Sequence, residues 1–80
     1  MNKFERLPNV FDGRIYGKQK WDITDSGAVL TLKSPWNCLT NSEFRLIADF
    51  TLVSGLLVDI HAEKDCLIVS FTDYATEIQN

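Results

Sequence analysis

The sequence predicts a single, mainly β domain spanning residues 1–80. We expect a small antiparallel sheet or half-open barrel built from two hairpin units, with a short helix at 41–50 as the alternative for one ambiguous stretch. Two observations carry this prediction. Apolar and polar residues alternate over several short stretches, as they do in half-buried strands. Glycine, Asp and Ser clusters separate those stretches, and 80 residues suffice for only one hydrophobic core.

The first hairpin unit follows an N-terminal segment, residues 4–11, whose scattered apolar side chains and proline predict an irregular arm or a single helical turn docked on the core. Residues 14–23 alternate with a period of two, which predicts a strand. Residues 25–27 (Asp-Ser-Gly) predict a hairpin turn with glycine where a positive φ is needed. Residues 28–33 return as the partner strand, which Pro35 ends.

The middle of the chain, residues 43–52, has two interpretations. Five alternating apolar residues favour a strand, whereas Thr40 and Glu43 have the spacing of a helix capping box. The strand has more matches and is our prediction, with the helix kept as the alternative. The alternating residues are Phe44, Leu46, Ala48, Phe50 and Leu52.

The second hairpin unit begins after Gly55. Residues 56–62 alternate and predict a strand, and residues 63–65 form a polar turn. Residues 66–71 are almost wholly apolar, which predicts a central strand. Residues 76–78 could then add a short edge strand. Each unit therefore consists of a glycine, a strand, a polar turn and an apolar returning strand, a weak internal duplication.

Four short patterns carry a resemblance to a known group. They read Phe11-x-Gly13-x-Ile15, Leu30-Thr31-Leu32-x-Ser34-Pro35-Trp36, Gly55-x-x-Val58 and Leu67-x-Val69-x-Phe71-x-Asp73. In this order, across residues 11–73, they resemble a family of small, uncharacterised bacterial β proteins, some of which lie near toxin-immunity loci. The resemblance implies a small β fold and an immunity-type role, and it transfers no functional residue.

Charge is distributed unevenly along the chain, which carries a net charge of −3. Residues 1–33 hold six of the eight basic side chains, and residues 34–80 hold seven of the eleven acidic ones. Such a chain suits a protein partner with a basic surface, and the excess of acid disfavours direct nucleic-acid binding. No apolar run is long enough for a membrane span and no signal peptide opens the chain, so we expect a cytoplasmic protein.

The candidate catalytic and metal-ligating residues of the sequence do not form a recognisable active site. His61 is the only histidine, and a strand would place Asp59 on the same face, but a zinc site needs three or four ligands. Cys38 and Cys66 have no ligand spacing and are expected to be thiols, with a single disulfide as the alternative. The glycines are isolated, so there is no phosphate loop. We therefore predict a protein that is not an enzyme and has no cofactor or metal.

One feature suits nucleic acid better than the rest of the chain does. A strand from residue 14 would place Arg14, Tyr16, Lys18 and Lys20 on one face, as in a stacking platform. A solvated outer sheet face explains the same residues, and the acidic second half would repel phosphate. A small-ligand site at an open barrel end near Trp21 and Trp36 has no polar constellation to support it.

The predicted function is therefore protein binding, by a small acidic inhibitor of the immunity or phage anti-defence type. Such a protein would occlude a basic surface of a nuclease or nucleoprotein complex. The alternative is a self-assembling structural module, such as a homodimer, joined through sheet edges. The aromatic anchors and acidic residues expected to contact the partner are Trp36, Asp49, Asp59, Glu63, Asp65, Asp73, Tyr74 and Glu77.

Overall fold

The N-terminal segment docks on the core as predicted. In the computed structural model, which describes residues 2–33 and 38–73, a 3-10 turn over Lys3–Arg6 leads into a short helix, α1, over Leu7–Phe11. The side chain of Asn2 caps this turn, because its Oδ1 accepts the Phe4 N–H at 2.9 Å. The buried side chains are Phe4, Leu7 and Phe11. Their spacings of three and four residues place them on one side of the helical segment.

The first hairpin joins strand β1, Lys18–Ile23, to strand β2, Gly27–Lys33. The predicted strand over residues 14–23 is therefore wrong over its first four residues. Gly17 has a φ of 115°, which interrupts the extended chain, and the Arg14 N–H donates to the Phe11 carbonyl at 3.1 Å in a turn. Arg14 and Tyr16 consequently lie before β1.

Gly27 is needed for a reason other than the predicted positive φ. The glycines with positive φ among the described residues are Gly13, Gly17 and Gly55. A Cβ on Gly27 would lie 2.7 Å from the carbonyl oxygen of Phe71, on the neighbouring strand. The absence of a side chain therefore lets these two strands approach each other.

The middle segment is a helix, α2, over Asn41–Ser54, so the predicted strand over residues 43–52 is wrong. Both bonds of the capping box are present: the Glu43 N–H donates to Thr40 Oγ1 and the Thr40 N–H donates to Glu43 Oε1. Gly55 ends the helix in the left-handed region, with φ 72°. Residues spaced by four are buried, namely Glu43, Ile47 and Thr51.

The second hairpin joins strand β3, Leu56–Ala62, to strand β4, Leu67–Asp73. The four strands form one open antiparallel sheet in the order β1-β2-β4-β3, which confirms the mainly β class and the two hairpin units. The apolar strand at 66–71 is central, as predicted. The edge strand predicted at 76–78 lies outside the described residues.

The core lies between one face of the sheet and the helical segments. Alternate residues of the central strands are fully buried there, among them Leu30 and Val69. The ring of Phe11 stacks on Trp21 and Phe71, with centroids 6.1 and 5.7 Å apart, and meets the edge of Phe50 at 5.4 Å. Among the described residues, β3 lies at one end of the strand order, so one side of this strand pairs with no other strand.

Candidate binding surface

Two carboxylates and one imidazole line the outer face of the edge strand β3 and the turn that follows it. His61 Nδ1 lies 3.2 Å from Asp59 Oδ2, and His61 Nε2 lies 3.2 Å from Glu63 Oε1. The two carboxylate side chains remain 75% and 57% exposed. The prediction that Asp59 and His61 point at one spot is confirmed, and Glu63 joins them. At this exposure the pairs add little stability, so the carboxylates remain available to a partner.

Acidic residues surround β3 on more than one side. Asp65 is exposed in the turn after the strand, and Asp49 is exposed on α2. Asp49 lines the groove between that helix and β3, as does Val58. We refer to Asp49, Asp59, Glu63 and Asp65 together as the acidic edge. All four residues were named from the sequence, where nothing indicated that they lie on and around one edge strand.

An apolar groove lies beside the acidic edge, between the C-terminal half of α2 and the start of β3. Leu52 in this groove is 83% exposed, and Val58 is 36% exposed. Val53, the next residue of the helix, is 87% exposed and lines a neighbouring groove with Lys3 and Arg6. Apolar side chains so close together and so open to water are typical of a binding surface. The lining residues are Ala48, Asp49, Thr51, Leu52, Gly55, Leu56 and Val58.

Sequence reasoning missed this groove because it placed Leu52 on the inner face of a strand. The capping residues Thr40 and Glu43 were the signal that could have found it. A helix starting there buries Ile47 and Thr51 and directs Leu52 and Val53 outward, since neighbouring positions differ by about 100° around a helix.

The remaining predicted contact residues are placed differently. Asp73 ends β4 opposite Leu56, and its carboxylate forms an ion pair with Lys3 of the N-terminal turn. This contact ties the first residues of the chain to the sheet, so Asp73 has a structural role. The other three predicted contact residues lie outside the described residues: Trp36, Tyr74 and Glu77.

Glu43 is the buried carboxylate among the described residues, at 8% exposure. Its Oε2 accepts the Tyr16 N–H at 2.6 Å and its Oε1 accepts the Thr40 N–H at 2.8 Å. Burial raises the pKa of Glu43, but these backbone bonds and the Thr40 hydroxyl outweigh it, so the pKa lies below its ordinary value of 4.5. Glu43 therefore joins α2 to the loop before β1 and has no need of a ligand.

Basic residues lie near the other edge of the sheet, on β1 and β2. Lys18 and Lys33 are directly opposite each other across the β1–β2 ladder, and Lys20 follows on the same face. The predicted platform is incomplete, because Arg14 and Tyr16 do not continue this strand. Without the aromatic ring, the three lysines form a charged outer face rather than a stacking surface.

Other chemistry of the described residues is limited. Cys38 and Cys66 are both free thiols. Across residues 2–33 and 38–73, no group of three or more His, Cys, Asp or Glu side chains has an arrangement that could hold a metal ion. The helices in this part of the chain are too short or too polar to cross a membrane. Comparisons with protein-family models, curated proteins and solved structures give no match.

Proposed function

We propose that the chain is a non-catalytic binding protein that covers a basic surface of a larger protein. The observation that carries this proposal is the acidic edge, where exposed carboxylates on the outer face of β3 and exposed apolar side chains of α2 and of the inner face of β3 flank the same strand. Protein interfaces commonly combine an apolar centre with a charged rim. Carboxylates on the rim attract a basic partner over distance, and the groove supplies apolar area once contact is made.

The class of partner follows from this charge. Enzymes that act on nucleic acids bind phosphate through Lys and Arg, so an acidic protein can occupy the same surface and exclude the substrate. An inhibitor of the immunity or anti-defence type acts by such occlusion and needs no catalytic group of its own. The proposed target is therefore the basic substrate-binding surface of a nuclease or nucleoprotein complex.

A second candidate is self-assembly through sheet edges, favoured by the fact that β1 and β3 each pair with only one strand of the described sheet. The apolar strand β4 cannot supply the joint, because it is paired on both sides. Pairing of β3 with β3 of a second copy would place Asp59 and Glu63 of both copies on one shared outer face, and repulsion among these four carboxylates opposes such a contact. We therefore place this candidate second.

Affinity capture from the source cell, followed by binding measurements with the purified partner, tests the proposal. The test variant reverses three charges of the acidic edge, Asp59→Lys, Glu63→Lys and Asp65→Lys. The control variant changes net charge equally on the exposed acids near β1, Asp12→Lys, Asp22→Lys and Asp25→Lys.

We expect the acidic-edge variant to lose at least about tenfold in association rate, while the control stays closer to the native chain. Equal behaviour of the two variants would refute the proposed surface. Recovery of the chain alone in the capture, with concentration-dependent sedimentation, would favour self-assembly.

A further inference from the structure

The free side of β3 presents backbone groups at known positions. The Glu63 N–H donates to the Cys66 carbonyl at 2.8 Å, so this pair is hydrogen-bonded. The register then runs without interruption from Ala62↔Leu67 to Leu56↔Asp73. Because hydrogen-bonded and non-bonded pairs alternate in an antiparallel ladder, the N–H and C=O groups of Val58, Ile60 and Ala62 point away from β4.

No other strand of the described sheet takes up these groups, since β3 lies at the end of the strand order. The strand is seven residues long, and Leu57 and Val58 are 38% and 36% exposed. A regular edge of this length with apolar side chains is a template for another strand. The outward-pointing backbone therefore defines where an added strand would bind.

The two faces of this edge differ in chemistry, and the difference specifies the occupant. Asp59 and Glu63 lie on the outer face, with His61 between them. Val58 lies on the inner face, where Leu52 of α2 extends the apolar surface. Side chains of an added strand alternate between the same two faces. A matching strand carries Lys or Arg on one face and apolar residues on the other.

We propose that β3 binds an extended segment of the partner by strand addition, with basic residues facing Asp59 and Glu63 and apolar residues facing Val58 and Leu52. This inference rests on the proposed function, for which it supplies the mode of recognition. The main-chain hydrogen bonds give affinity, and the alternation of basic and apolar side chains gives specificity. A second copy of β3 is a poorer match than a basic segment, because it would add two more carboxylates to the outer face that already carries Asp59 and Glu63.

The experiment uses the full chain and a short acetylated peptide in which lysine alternates with valine. Amide hydrogen exchange is followed by NMR for each residue of β3. In the free protein, we expect slow exchange for Leu57 and Asp59, which bond to β4, and fast exchange for Val58 and Ile60. At a peptide concentration about ten times its Kd, exchange at Val58 and Ile60 should slow by about tenfold.

Two control peptides separate strand addition from charge attraction. One is the lysine–valine peptide with N-methyl groups on alternate residues, at the positions whose N–H groups would face β3. This change keeps every charge but removes the amide donors on that edge of the peptide. The other replaces lysine with glutamate. Neither should slow exchange at Val58 and Ile60. The double variant Asp59→Lys, Glu63→Lys should shift the preference between the lysine and glutamate peptides by roughly fivefold towards glutamate.

Three results would overturn the proposal. Slow exchange of Val58 and Ile60 in the free protein would mean that the chain itself already covers the edge. Absence of added protection with the lysine peptide would mean that the edge accepts no strand. Equal binding of the N-methylated peptide would show attraction by charge alone. In that last case the acidic edge, and with it the proposed function, would still stand.

Discussion

Replacing Glu43 tests how α2 is anchored to the rest of the fold. Glu43→Ala removes the acceptor of the Tyr16 and Thr40 N–H groups and abolishes one half of the capping box. Hydrogen bonds to a charged group are worth about 1.5–3 kcal/mol each, and water that enters the space left by the side chain can replace part of that energy. We expect a loss of about 2–4 kcal/mol in the free energy of unfolding.

That loss is large for this chain. At about 0.05–0.15 kcal/mol per residue, 80 residues give a total stability of roughly 4–12 kcal/mol. Glu43→Gln keeps the size of the side chain and one acceptor oxygen, so it should cost about 1–2 kcal/mol. Glu5→Gln, at an exposed position of the N-terminal turn, serves as the control and should change stability by less than about 0.5 kcal/mol.

The effect of these variants on the free energy of unfolding should depend on pH. Because the pKa of Glu43 is lowered on folding, its ionised form contributes stability above the ordinary value of 4.5, and this contribution is lost as the pH falls through the folded-state pKa. Urea unfolding, followed by tryptophan fluorescence at about pH 7 and about pH 3, measures it. The gap between Glu43→Gln and the native chain should narrow at the lower pH. An equal gap at both values would refute the reasoning.

Three further predictions concern the sheet and the groove. Gly27→Ala should cost about 1–3 kcal/mol in urea unfolding, because the new Cβ would collide with the Phe71 carbonyl. Lys33→Glu, opposite Lys18, should raise stability by about 0.2–1 kcal/mol, and the gain should shrink in high salt. Leu52→Ser should leave the free energy of unfolding within about 0.5 kcal/mol, since the side chain is 83% exposed, yet weaken binding of the lysine–valine peptide.

The hairpins could be predicted because their signal is local. Alternation over residues 56–62 and the apolar run over residues 66–71 each indicate a strand within a few neighbouring positions. The sheet buries Leu67, Val69 and Phe71 of β4, whereas in β3 it buries Leu56 and leaves Val58 and Ala62 exposed. The first strand was predicted too long because Ile15 fits the alternation. Ile15 is buried, but it lies in a bend before the strand begins.

The middle segment could not be assigned by counting apolar matches. Phe44 and Leu52 satisfied the alternation but are 47% and 83% exposed in the helix, so they carried no information about the core. The decisive residues were the polar Thr40 and Glu43, whose reciprocal bonds start α2. The four residues of the acidic edge were named from the sequence, but only the order of strands shows that β3, beside which they lie, is an edge strand.

The most direct test of the acidic edge is the association rate with the captured partner, measured at low and moderate salt. The native chain should associate faster at low salt than at moderate salt. The variant with Asp59→Lys, Glu63→Lys and Asp65→Lys should associate more slowly than the native chain, at a rate that no longer rises at low salt. An unchanged rate and an unchanged salt dependence in this variant would contradict the account, because the basic partner would then be meeting another part of the molecule.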